Sequence, residues 1–177
     1  MKIIKTKFKG LIVIKHNSFK DKRGSLRVTF NKKKLKKNFI FEYSTTSKKN
    51  SLRGLHFQYK FQQAKYVTVL KGKILDCVID LRKNSKTFGK IFKIILSNKN
   101  NLALYIPEGF GHGYFSFDKE NVIYYKLTNY YKPKYESGIN SLDKTINIKW
   151  PSGKKIISKK DKNLISFKEF IKIFGYL

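Results

Sequence analysis

Short runs rich in β-branched and aromatic residues recur along almost the whole chain and leave little room between them for long helices. They cover 10–15, 25–30, 39–46, 52–57, 65–71, 73–81, 90–97, 102–106, 112–117 and 121–128, separated by Gly, Asn, Asp and Lys. Strands this closely spaced connect through short turns, which makes their pairing antiparallel and the architecture a sandwich or barrel. KGK at 71–73 and SNKNN at 97–101 supply the turn residues. The period changes once. In NLISFKEFIKIF (163–174), Leu164, Phe167, Ile171 and Phe174 recur at spacings of three and four. That pattern predicts one amphipathic helix, capped by Asp161 or Asn163. No repeat or Ser/Gly-rich linker divides residues 1–177, which therefore read as a single domain.

Charge narrows the function. The chain carries 40 Lys+Arg against 11 Asp+Glu, a formal net charge of +29, which invites a polyanion partner. Only four of the 40 are arginines: Arg23, Arg27, Arg53 and Arg82. The residue best suited to two-point phosphate and base contacts is thus nearly missing. Lysines are spread throughout, and the densest run, Lys32 to Lys37 broken by Leu35, reads as a solvated loop or short helix. Lys, Asn, Ile, Phe and Tyr share AT-rich codons, so coding bias accounts for the composition without a functional demand. A basic polyanion-binding protein is kept as a minor alternative, and a nucleic-acid partner is disfavoured. No apolar run approaches the roughly 18 residues of a membrane span. MKIIKTKFKG lacks a signal-peptide pattern, so the expectation is a cytoplasmic protein with no membrane partner. The single cysteine, Cys77, leaves no internal disulfide and no cysteine-based zinc site.

The three histidines are His16, His56 and His112. A barrel metal site needs two histidines two residues apart plus a carboxylate, and Gln58 stands where the second ligand would be. No bound metal is expected. His16, in KHNS, reads as a satisfied, half-buried side chain. His56 lies in the 52–57 strand, where alternation puts Leu52, Gly54 and His56 on one face and Arg53, Leu55 and Phe57 on the other. Gly54 would leave space for a ligand to approach the backbone. Lys65 opens the next strand. A neutral histidine near a lysine and an arginine suits a base acting on an anionic substrate, and a satisfied structural histidine fits the same spacing.

DKRGSL (21–26), SLRGLHFQ (51–58), QAKYV (63–67), DLRKNSKTFGK (80–90), LYIPEGFGHGYF (104–115) and YYKLTNYYKPKYE (124–136) follow one another in this order. Together they closely resemble the dTDP-4-dehydrorhamnose 3,5-epimerase family, from about residue 3 to 162. The resemblance implies a mainly β, antiparallel double-stranded β-helix or jelly-roll barrel of the cupin type, without metal or cofactor. It also implies a homodimer with exchanged N-terminal strands. The implied reaction inverts C3, C5 or both of a nucleotide-diphosphate-linked 4-keto-6-deoxy sugar, for surface-polysaccharide synthesis. Protons beside the ketone are acidic because their removal leaves an enolate. By motif, His56 resembles the base, Tyr125 the acid on the opposite face and Asp161 the carboxylate that pairs with the histidine. Lys65 resembles the cation beside the keto oxygen. Arg23 and Arg53 resemble the arginines facing pyrophosphate or sugar. His112, Tyr131 and Glu136 fall at substrate contacts, and Phe19 at a base-stacking position. Val28 stands where the family has a glutamate, and Phe41 and Tyr43 replace a Gln-x-Asn pattern beside the substrate. These departures predict a different nucleotide or sugar, such as a GDP-linked substrate or a heptose. The alternative of a nucleotide-sugar 3,4-ketoisomerase would need a second histidine close to the first, and Gln58 stands at that place.

Overall fold

The structure, a computed structural model, describes residues 1–177. Two antiparallel sheets face each other as a jelly-roll barrel of the cupin type. One sheet has the order β1 (Lys2–Lys5), β2 (Ile12–Lys15), β10 (Leu102–Ile106), β7 (Lys65–Lys71), β12 (Glu120–Leu127), β5 (Phe41–Lys48). The other has the order β13 (Glu136–Gly138), β6 (Leu52–Gln58), β11 (Phe110–Ser116), β8 (Lys73–Asp80), β9 (Ile91–Ser97). A separate hairpin, β3 (Ser18–Asp21) with β4 (Gly24–Arg27), completes the strands.

The central strands are apolar because both their faces are covered. In β8, Ile74 and Val78 point between the sheets, where they meet Val67, Val69, Leu104 and Ile123. Cys77 and Ile79 point the other way, into a second core with Leu55 and Phe57 beneath the C-terminal segment. On the outside of the first sheet, Ile14, Tyr66, Ala103 and Tyr105 are covered by Leu35 and by Phe30 and Phe39. Leu35 closes α1 (Lys32–Leu35), so the lysine-rich run is a short helix with one buried anchor. Burying a leucine of this kind is worth about 1.5–3 kcal/mol.

The strand expectations meet the structure closely in the barrel and miss β1, β3 and β13. All three are short, and β1 is exposed along its whole length, so neither sequence pattern nor burial marks them. The expected 163–174 helix begins later. The last helix, α3, is Phe167–Phe174, capped by Ser166 rather than by Asp161 or Asn163. Ser166 Oγ accepts from the Glu169 backbone N–H at 3.1 Å, and the Glu169 carboxylate accepts from the Ser166 N–H at 2.7 Å, a capping box that fixes the first turn. Asp161 sits instead in a four-residue helix, α2 (Lys159–Lys162), which Ser158 caps. No helix is long and apolar enough to cross a membrane.

The most consequential departure lies in β6. His56 pairs with His112 and Arg53 with Tyr114, so three steps along β6 match two along β11. The strand bulges at Gly54–Leu55, and the extra residue resets the alternation. Arg53 and His56, expected on opposite faces, both face the space between the sheets. Gly54 does not make room for a ligand. Its φ is +96°, and a Cβ there would lie 2.5 Å from the His112 carbonyl oxygen and 2.6 Å from Gly113 Cα. The glycine lets two backbones touch at the bulge.

Candidate active site

A cavity of about 500 Å³ opens between the sheets at the end where β6, β7 and β12 carry His56, Lys65 and Tyr125. His56 is held from below. Its Nε2 lies 3.1 Å from Asp161 Oδ1, while Asp161 Oδ2 accepts the Gly54 N–H at 3.0 Å. Burial pushes the Asp161 carboxyl up, but the His56 contact, with the Gly54 and Ser158 hydrogen bonds, outweighs it and holds the group below the usual carboxylate range. An ionised Asp161 fixes the proton on Nε2 and leaves Nδ1 as the basic nitrogen. Nδ1 is buried and has no hydrogen-bond partner. Glu136 Oε1 waits 3.5 Å from it. Burial pushes Glu136 up as well. Lys160 and the Tyr131 hydroxyl, the latter donating at 2.7 Å, more than offset this and keep Glu136 ionised. A proton arriving on Nδ1 therefore meets a carboxylate on each side of the ring.

Lys65 is nine-tenths buried, and burial pulls its ammonium down to about 8, against the opposing pull of Glu136 and Asp76. Across the cavity stands Tyr125, on the other sheet from His56. Burial pushes its phenol well above the ordinary value, and Tyr114, Tyr43 and Asp76 act in the same direction. Tyr43 stacks on Tyr125, with ring centroids 4.8 Å apart and planes inclined by 23°. Phe41 packs on Tyr43 and on Tyr130, so the two departures from the family pattern form one aromatic wall behind Tyr125. His112 lines the cavity and donates or accepts at 2.8 Å with Asp76, a fully buried carboxylate in β8.

The structure thus gathers His56, Tyr125, Lys65, Asp161, Arg53, His112, Tyr131, Glu136 and Tyr43 around one cavity. It leaves out Arg23 and Phe19. Both belong to the β3–β4 hairpin, where the Arg23 side chain is 91% exposed and ion-paired with Asp21, and Phe19 is 62% exposed. His16 is buried outside the cavity against the Tyr66 phenol. Gln58 ties two loops, donating to the Phe61 carbonyl at 2.8 Å and accepting the Lys132 N–H at 2.7 Å. Sequence reasoning missed Asp76, Lys160 and Tyr114. Asp76 had a signal: it is the lone carboxylate inside the otherwise apolar KILDCVI, on the inward-facing register of Ile74 and Val78.

The jelly roll thus carries His56, backed by Asp161 of α2, on one sheet and the buried Tyr125 phenol on the other, both lining one cavity. Comparison with known proteins assigns the family. The family model of dTDP-4-dehydrorhamnose 3,5-epimerase matches residues 5–169. The chain is 40% identical over 170 residues to the dTDP-4-dehydrorhamnose 3,5-epimerase of Methanothermobacter thermautotrophicus, covering 92% of each. It is 35% identical over 181 residues to that of Escherichia coli, covering 98% of each. A crystal structure of the Legionella pneumophila dTDP-6-deoxy-D-glucose-3,5-epimerase in complex with dTDP-4-keto-L-rhamnose superposes with a TM-score of 0.90 at 34% identity, over 94% of this chain and 93% of that one. The chain belongs to the dTDP-4-dehydrorhamnose 3,5-epimerase family and is an enzyme of the isomerase class.

Proposed function

We propose that this enzyme epimerises a dTDP-linked 4-keto-6-deoxy hexose at C3 and C5. The observation that carries the reading is the placement of His56 and Tyr125 on opposite sheets of one cavity. A sugar ring between them presents one face to a base and the other to an acid. His56 Nδ1 takes the proton from the carbon beside the ketone. The C–H electron pair becomes the enolate, whose oxygen faces the Lys65 ammonium. The Tyr125 phenol then delivers its proton to the opposite face, and the carbon is inverted. His56 is left as imidazolium and Tyr125 as phenolate, and exchange with solvent resets both. Asp161 and Glu136 stabilise the imidazolium.

The dTDP group is supported by the names of the relatives. The aromatic wall of Phe41 and Tyr43 supports a sugar-specificity difference, so GDP-linked and heptose substrates form a second arm of the assay. The hairpin carrying Phe19 and Arg23 stands free of its own cavity and exposes Phe19 and Leu26, each 62%. We read it as an arm that docks on a second copy, giving a homodimer in which it reaches the partner's substrate. A cytoplasmic setting and a product destined for surface polysaccharide belong to the same proposal.

The test is solvent deuterium. With dTDP-4-keto-6-deoxyglucose in deuterated water, NMR should show deuterium at C3 and C5 together with inverted product. Absence of exchange at both carbons with every dTDP- and GDP-linked substrate would overturn the proposal. Migration of the ketone from C4 to C3 would point to a ketoisomerase. The second histidine such an enzyme needs is present as His112 opposite His56, although its Nε2 is engaged by Asp76.

A further inference from the structure

Arg53 differs from the other three arginines in what its charge meets. Arg23 and Arg82 are each paired with an aspartate at 2.7 Å, and Arg27 lies outside the cavity with its Nη2 on the Val69 carbonyl. Arg53 lines the cavity and has no carboxylate partner. It is exposed at the rim and reaches from β6 to β5 in the opposite sheet. Its Nε donates to Ser47 Oγ at 3.0 Å and its Nη2 to the Thr46 carbonyl at 3.3 Å. A guanidinium carries five N–H donors in one plane and accepts nothing. The two bonds to β5 take up the edge formed by Nε and Nη2. The tip formed by Nη1 and Nη2 keeps three N–H groups, enough for a two-point contact with the oxygens of a phosphate.

The support under this guanidinium is built into both sheets. Ser47 is buried, and its carbonyl accepts from Asn121 Nδ2 at 3.0 Å. Its Oγ lies 2.9 Å from the hydroxyl of Tyr114, which also lies 3.2 Å from Thr45 Oγ1. The Tyr114 ring is packed in the core between the sheets, so its hydroxyl is a fixed point. Whichever way the hydroxyl protons turn, Arg53 donates and Ser47 accepts. A long side chain at a rim loses many rotamers when a ligand fixes it, and a side chain already held loses fewer.

We infer that Ser47 and Tyr114 are positioning residues for Arg53, holding its guanidinium edge against β5 so that the tip meets the diphosphate of the substrate. The inference rests on the reading of the cavity as the site of a dTDP-linked sugar. It assigns the cluster to substrate affinity, apart from the proton transfers.

The test titrates dTDP, and separately thymidine, into wild type, Tyr114→Phe, Ser47→Ala, Arg53→Ala and the Arg53→Ala/Ser47→Ala double variant by calorimetry. KM and kcat on dTDP-4-keto-6-deoxyglucose are measured beside them. Arg53→Ala should weaken dTDP roughly 10–100-fold, the scale of a hydrogen bond to a charged group. Tyr114→Phe and Ser47→Ala should weaken it about 3–10-fold, the scale of ordering one long side chain. KM should rise in step, with a smaller change in kcat. Thymidine, which lacks the diphosphate, should bind every variant as it binds wild type. In the Arg53→Ala background, Ser47→Ala should cost less than about twofold more, because the group it acts through is gone. Ser47→Ala serves as the reporter if Tyr114→Phe melts early. The same loss from Ser47→Ala in both backgrounds, or an equal loss of thymidine, overturns the inference and marks the cluster as structural. Unchanged dTDP affinity in Arg53→Ala, or in both Tyr114→Phe and Ser47→Ala, overturns it while the dTDP reading of the cavity stands. A wild type that binds no dTDP overturns that reading and the inference together.

Discussion

Asp161→Asn is the most discriminating single change, because the structure dictates how the amide must sit. Asp161 has two neighbours of opposite demand. The Gly54 N–H, 3.0 Å from Oδ2, can only donate. The His56 Nε2, 3.1 Å from Oδ1, donates or accepts according to its tautomer. An asparagine must therefore turn its oxygen to Gly54 and its NH2 to His56. Nε2 becomes an acceptor, the ring proton moves to Nδ1, and the nitrogen proposed as the base loses its lone pair. The carboxylate that would balance the imidazolium is lost as well. Opposite charges about 4 Å apart are worth about 4 kcal/mol at an effective dielectric near 20. At about 1.4 kcal/mol per decade this is a loss of about a thousandfold in kcat. The tautomer penalty brings the total to roughly 10³–10⁴-fold, the scale of such an inversion in a serine-protease triad. Because abstraction itself is blocked, deuterium exchange and inversion should fall together. The melting temperature should hardly move, since the Gly54 contact and the Ser158 cap on the 161 backbone N–H survive. A loss smaller than tenfold, or lost inversion with retained exchange, would refute the dyad.

Two further outcomes follow from the same geometry. Burial lowers the Lys65 ammonium to about 8; the charged form faces the enolate below that pH and is lost above it. The free-enzyme kcat/KM should therefore decline about tenfold per pH unit beyond this point, and a flat profile to pH 10 would remove Lys65 from its role. Gly54→Ala forces a Cβ to 2.5 Å from a backbone oxygen at a φ of +96°, where neither partner can rotate away. Strain of about 1–3 kcal/mol should lower the melting temperature by roughly 2–12 °C. Gly153→Ala, with a φ of +91° and open space around it, isolates the backbone part of that cost.

Much of the barrel is legible in the sequence because its strands are buried on at least one face and built from residues that prefer such a surface. β1 and β3 escape because partners, rather than their own side chains, hold them. The C-terminal helix shows how a period misleads. Leu164 continues the three-four spacing by coincidence, whereas SFKE at 166–169 already spelled the capping box that sets the true start. At the site, the resemblance located His56, Tyr125 and Asp161. Alternation then separated Arg53 from His56, because a bulge leaves no trace in a period-two reading. Gly54 in one strand and Gly113 in its neighbour were the hint: two glycines meeting mark a place where backbones approach too closely for side chains. Tyr114 was invisible as a cavity residue because, in sequence, a tyrosine that lines a cavity and one packed in the core look alike. Only the partners of its hydroxyl separate the two.

Charge looks different at the scale of the site than at the scale of the chain. Around the cavity, Arg53, Lys65 and Lys160 stand against Glu136, Asp161 and, just behind His112, Asp76. Three cations meet three carboxylates, so the +29 of the chain arises elsewhere. The other arginines are also accounted for. Arg82 clamps the buried Asp80 carboxylate with Nε at 2.9 Å and Nη2 at 2.7 Å. Arg27 donates to the Val69 carbonyl, and Arg23 rides on the exposed hairpin. The lysine excess therefore lies outside the cavity. At the cavity stands a balanced set of six charges, placed by β6, β7, β8, β13 and α2. A partner chosen by total charge would ignore those positions, while the proton transfer proposed between His56 and Tyr125 draws on them.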